Sequence, residues 1–109
     1  MAWLVTEGRV LASCESASDR QARRRGLLGR DGIEGALVLK GCRWVHTLGM
    51  RFALDVAYLD QNGVVVKTVH MRRHRVGAPV WRATTTIEAH EGAFGRWGLR
   101  VGDVVELRE

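Results

Sequence analysis

Leu54-Asp55-Val56-Ala57-Tyr58-Leu59 and Val64-Val65-Val66-Lys67-Thr68-Val69 flank Asp60-Gln61-Asn62-Gly63, and the reading of this stretch decides the fold. Two β-branched and aromatic runs, joined by an Asn-Gly pair that supplies the positive φ of a tight turn, spell an antiparallel hairpin. On its N-terminal side, Ala36-Leu37-Val38-Leu39 is apolar, bounded by glycines and too brief for a typical helix, so it reads as a buried strand. Trp44-Val45-His46-Thr47 reads as a further strand. At the start of the chain, Trp3–Thr6 and Val10-Leu11-Ala12 flank the Gly-containing connector Glu7-Gly8-Arg9, a second hairpin. On the C-terminal side, Thr84–Ala89 has the branching that suits a pleated surface. A short helix over about Glu91–Trp97, closed by Gly98, then leads to a last strand, Asp103–Leu107.

One further helix interrupts the strands. Ser18-Asp19-Arg20-Gln21 fits a capping box, in which a hydroxyl accepts from the backbone and the Gln reaches back. The helix should run to about Leu28, with Gly29 ending it. Arg20, Arg23, Arg24 and Arg25 occupy most of its circumference. It should therefore lie on the surface, touching the core along a narrow stripe of Ala22, Gly26 and Leu28. Seven or eight short strands with one surface helix and one short helix predict a mainly β domain, an antiparallel β-sandwich or barrel around one apolar interior.

The chain has 109 residues, 46% of them hydrophobic, which matches one domain over residues 1–109 with one core. No basic segment followed by an apolar run opens the sequence, and no apolar stretch approaches the roughly 18 residues of a membrane span. These features predict a cytoplasmic protein with reduced thiols and no membrane partner, with Cys14 and Cys42 serving as small hydrophobes. A monomer is expected. The net charge is +5 and 15 of the 17 basic residues are arginine, which pairs bidentately with phosphate and carboxylate.

Several segments together resemble one family, the bacterial and archaeal domain of unknown function 192. They are Arg23-Arg24-Arg25-Gly26-Leu27-Leu28-Gly29-Arg30, Leu54–Asp60 with Gly63-Val64-Val65, Ile87-Glu88, Gly92, and Gly98–Asp103, and the resemblance spans about Leu4–Leu107. It implies a compact, mainly β fold and supplies no activity. Many members carry a Trp-Met-Lys-Asn-Thr run and a proline before the Leu-Asp pair. Here His46-Thr47-Leu48-Gly49-Met50 and Ala53 stand instead, similar to a Val-His-Thr-x-x-Met subgroup, so no site built on that run transfers.

Asp55 and Glu88 each interrupt an apolar or β-branched strand, and an inward-pointing carboxylate needs a partner. Arg23, Arg25 and Arg30 are the candidates, and such a pair would clamp the helix onto the sheet. The same residues with His46 and Thr47 define a candidate polar binding site: Arg23, Arg25, Arg30, His46, Thr47, Asp55 and Glu88. Other constellations carry less. Cys42, His46 and Met50 are soft donors, but their stretch looks extended rather than helical, so no metal is assigned. His70 and His74 sit in a basic segment that repels cations. Cys14 or Cys42 with His46 would need an orienting third group for nucleophilic chemistry. The reading is a non-catalytic module that binds a small molecule or protein partner, or acts as a scaffold, without a cofactor. The alternatives are a nucleic-acid-binding module using Arg20–Arg30, Arg72–Arg75 and the faces of Trp44, Trp81 and Trp97, and a Cys/His enzyme.

Overall fold

The computed structural model describes residues 2–17 and 19–109. In chain order the elements are β1 (Ala2–Thr6), β2 (Arg9–Ala17), α1 (Arg20–Arg25), β3 (Ala36–Lys40), β4 (Leu54–Leu59), β5 (Val65–Met71), β6 (Thr85–His90), α2 (Ala93–Trp97) and β7 (Val105–Arg108). The strands form one sheet in the order β5-β4-β6-β3-β2-β1-β7, so the mainly β class with two short helices holds.

The Asn-Gly hairpin pairs β4 with β5 from Leu54 opposite Met71 to Leu59 opposite Val65. Its turn is held by Asp60 Oδ1, which accepts from the backbone N–H of Asn62 at 2.9 Å and of Val64 at 3.0 Å. The same turn closes the sheet. Val105 N–H donates to Gly63 O at 2.9 Å, Val65 N–H to Asp103 O at 2.8 Å and Gly102 N–H to Val65 O at 2.8 Å. The sheet thus curls until its two outermost strands meet at one corner. Gly63 is required at this contact: its φ is +80° and a Cβ would stand 2.7 Å from Val105 O.

Four expectations are corrected. First, β2 pairs with β3 in parallel, Cys14 opposite Ala36 to Ala17 opposite Leu39, whereas every other pairing is antiparallel. A parallel pair needs a long crossover, and the chain from residue 18 to 35, with α1 in it, supplies one. Second, Trp44–Thr47 is not a strand; among the described residues its one bridge joins His46 to Val76, and its backbone otherwise bonds to His74, Arg75, Gly77 and Met50.

Third, α1 stops at Arg25 instead of about Leu28. Asp19 caps it by accepting from Ala22 N–H at 2.7 Å; Ser18, the hydroxyl of the expected capping box, lies outside the described residues. Gly26 turns the chain with φ +50°, and Leu27 then plunges inward to 1% exposure while Leu28 stays outside. The expected stripe had placed Leu28 inward. Arg23, Arg24 and Arg25 fill the last turn, where cations favour the negative end of the helix dipole.

Fourth, the sheet has an apolar cluster on each face. Leu4, Val38, Ala57, Leu59, Ile87, Phe94 and Val105 belong to one; Leu27, Leu37, Leu39, Leu54, Val56, Tyr58 and Met71 belong to the other. All six residues of β4 are buried for this reason.

A Gly63→Ala substitution should destabilise the fold by ~3 kcal/mol in urea titration, combining left-handed backbone strain with the collision against Val105 O. Gly8→Ala is the control, since Gly8 shares a positive φ but has open space around it and should cost only ~1 kcal/mol. Equal losses would mean that the corner contact contributes nothing.

Candidate functional site

Asp55 and Glu88 fall on opposite faces of the sheet. Along the β4–β6 ladder Asp55 stands opposite Ala89 and Val56 opposite Glu88. Side chains alternate along a strand, so Asp55 joins Ala57 and Leu59 on one face while Glu88 joins Leu54, Val56 and Tyr58 on the other. The two carboxylates cannot share a cleft.

Asp55 is 8% exposed and its Oδ2 accepts from Phe94 N–H at 3.1 Å. That amide lies in the first turn of α2, whose N-cap Gly92 offers no side chain, so Asp55 caps the helix from the neighbouring strand. Thr47 is fully buried and also structural: its hydroxyl donates to Arg72 O at 2.5 Å and accepts from Arg75 N–H at 2.9 Å. It pins the basic loop to the 43–47 segment. Arg30 forms a two-pronged bridge to Glu15 at 2.8 and 3.0 Å on the surface. That pair ties the turn after α1 to β2 and is worth ~1 kcal/mol or less at its exposure.

Glu88 is different. It is 5% exposed, and its Oε1 has no hydrogen-bond partner among the described residues. The expected arginine clamp is therefore not made to this oxygen. Burial alone pushes the carboxyl up from its ordinary 4.5 to about 7. The Tyr58 phenol on the same face is raised to about 12, by burial first and then by the Cys42 and Glu88 charges, and so stays neutral. Gly26 lies directly over Glu88, where a Cβ would approach Oε1 to 3.1 Å.

Glu88 lines a cleft of about 510 Å³ under α1. Leu27, Leu39, Leu54, Val45 and Met50 supply apolar walls. Arg20, Arg23, Arg24 and Arg25 come from α1, and Arg43, Trp44 and His46 from the segment after β3. Of the seven residues anticipated from sequence, Arg23, Arg25, His46 and Glu88 thus meet at one cleft, and Arg30, Thr47 and Asp55 do not line it. Arg20, Arg24, Arg43, Trp44, Cys42 and the aliphatic walls went unanticipated. The arginines of 20–25 were a visible signal, but nothing in the sequence brings Arg43 and Trp44 opposite them. Trp44 is held by its indole N–H, which donates to Gly77 O at 2.6 Å, and its ring is tilted over His46 at 5.9 Å.

The thiol and imidazole chemistry does not assemble. Cys42 Sγ–H donates to Trp44 O at 3.3 Å, while His46 Nδ1 accepts from Leu48 N–H at 3.2 Å. Cys14 is raised, first by burial and then by Glu109, which disfavours a thiolate. His70 bonds to Glu91 at 2.8 Å and His74 accepts from Gly49 N–H at 3.2 Å, so the two are engaged separately. Among the described residues no three His, Cys, Asp or Glu side chains gather as a metal-holding group, and no helix is long and apolar enough to cross a membrane.

The family model of domain of unknown function 192, described as Uncharacterized ACR, matches residues 2–107, and the chain belongs to that family. Two solved structures share the fold. A protein of unknown function from Novosphingobium aromaticivorans DSM 12444 superposes with a TM-score of 0.82 at 16% identity, covering 96% of this chain and 82% of the other. A Sinorhizobium meliloti 1021 protein put forward as a transcription regulator gives 0.79 at 20% identity, covering 96% and 90%. A search of curated proteins found no match.

Titration of Glu88 should be measurable as stability. Below about pH 4.5 the carboxyl is protonated in both the folded and unfolded chain and carries no penalty. Between about 4.5 and 7 the unfolded chain loses the proton that the fold retains, so stability falls as pH rises. Relative to Glu88→Gln, the wild type should lose ~3 kcal/mol over this window and no more above it, read by urea unfolding from pH 4 to 8. A gap that stays constant across that range would show that Glu88 is not held in a desolvated site.

Proposed function

We propose that this family member is a non-catalytic small-ligand-binding domain whose site is the cleft beneath α1. The observation that carries the reading is the unpartnered Glu88 Oε1, buried at the margin of a cavity large enough for a metabolite. Buried polar atoms in native proteins are nearly always hydrogen-bonded, and an exception calls for a cause outside the fold's own contacts. Apolar walls with a few converging polar groups are the composition of ligand sites in general. Binding is favoured over catalysis because Cys42 and His46 hold different backbone partners and form no nucleophile-base pair.

A fragment library screened by amide chemical shifts should move Leu27, Leu39, Cys42 and Glu88 together. Cys42→Phe, which narrows the cleft without touching the sheet register, should abolish those shifts. Hits that leave these amides in place, or none at millimolar concentration, would end the reading.

A second reading, nucleic-acid binding, is favoured by one surface. Residues 40–51 and 72–82 are joined by backbone hydrogen bonds and carry Lys40, Arg43, Arg51, Arg72, Arg73, Arg75 and Arg82 with no acidic residue. Trp44 and Trp81 are exposed there, Trp81 at 75%. On this reading single-stranded RNA binds with a steep salt dependence, and Arg73→Ala reduces the log–log slope by about 0.7. Absence of binding in a low-salt titration removes it.

A further inference from the structure

The cleft brings one buried acid together with several arginines. Glu88 Oε1 is an acceptor without a donor among the described residues. Leu27, Leu39 and Leu54, which line the same cleft, offer no hydrogen-bonding side-chain atom. Arg20, Arg24, Arg25 and Arg43 line it as well, and among the described residues Glu88 is the only acidic one lining it. No guanidinium N–H of the described residues donates to Glu88 Oε1. Acid and arginines are therefore separate recognition points, and one molecule meets both only if it carries a group for each.

We infer that the cleft selects an organic anion whose opposite end carries N–H donors, seated with the donors on Glu88 and the phosphate or carboxylate among the arginines. The inference rests on the small-ligand reading above and names its chemical class. Each alternative leaves a group unsatisfied. A neutral apolar molecule meets neither polar end. A simple anion such as a fatty carboxylate leaves Glu88 orphaned, and if reversed it sets two carboxylates against each other. A simple amine meets Glu88 and leaves the arginines without an anion. Two sources share the required chemistry: a nucleotide whose base presents adjacent N–H donors, and an amino acid with amine and carboxylate at the two ends of an aliphatic chain.

Calorimetry at pH 8 distinguishes them, with two pairs of probes that differ only at the inner end. These are 8-aminooctanoate against octanoate, and guanosine monophosphate against inosine monophosphate, which lacks the exocyclic amine. In the pair that matches the site, the donor-bearing member should bind about tenfold tighter, the worth of one charge-assisted hydrogen bond. Glu88→Gln should erase that ratio, and Arg24→Ala should weaken both members alike. Glu88→Gln removes a buried charge and keeps the shape, so its fold is secure. Equal affinities within both pairs, or a ratio that survives Glu88→Gln, overturn the inference. If the Leu39 and Glu88 amides still move in the fragment screen, the cleft remains a ligand site and only the donor assignment is lost. If they do not move, both fail.

Discussion

A carboxylate on a strand buried on both faces is costly unless something next to it supplies a partner, and β4 and β6 together carry two carboxyl groups. The β4–β6 ladder sets Val56 opposite Glu88 and Asp55 opposite Ala89, which sends the two carboxylates to different sides. On Asp55's side the chain returns as α2, and the uncapped first turn of that helix provides the Phe94 amide. On Glu88's side the covering element is α1 and the turn after it. That turn brings a glycine rather than a donor, because Gly26 is what allows the backbone to pass so close to the carboxyl. One ladder thus produces one satisfied acid and one orphan.

The strands were legible because their signals are local. Leu54–Leu59, Ala36–Leu39 and the Asn62-Gly63 turn declare themselves by β-branching, brevity and punctuation, and each appears within a residue or two of its expected place. What could not be read was which face each residue takes. A one-residue change of register exchanges the faces of a strand, and the pairing of β4 with β6 is long-range. Asp55 and Glu88 therefore looked alike as interruptions of apolar strands. One clue was present: Leu-Asp-Val-Ala-Tyr-Leu is almost continuously apolar, the pattern of a strand covered on both sides, and it argues against a single interior. The end of α1 was misplaced for a similar reason. Leu27 and Leu28 are equivalent to any local rule, and burial of Leu27 against the second face decides between them.

Two groups of arginines have different physical roles. Arg30, Arg51 and Arg108 are tied to Glu15, Asp31 and Glu106 at exposed positions, where such pairs contribute little. Arg20, Arg24, Arg25 and Arg43 converge from two separate segments on one concavity. Part of that convergence has a structural reason, since cations in the last turn of α1 suit its dipole. Arg43 has no such reason, being outside any helix and lining the cleft from the segment after β3. Its position is what turns a basic helix into a basic enclosure.

The energetic scale of Glu88 fixes how much weight the orphan can bear. Domains of this size are stable by ~5–15 kcal/mol, so a carboxyl raised to about 7 removes a sizeable share of that at neutral pH. A glutamine would fit the same volume without that penalty. The penalty falls when a donor approaches Oε1, and no side chain of the described residues supplies one. A bound molecule that supplies it gains twice: it makes a hydrogen bond, and it relieves a desolvated acceptor that the free protein leaves unmatched. Such a site favours ligands bearing the donor over near-isosteric ones that lack it. Selectivity by an unmatched polar group exceeds what apolar contact alone provides, because the wrong ligand forgoes the gain and also leaves the carboxylate dry.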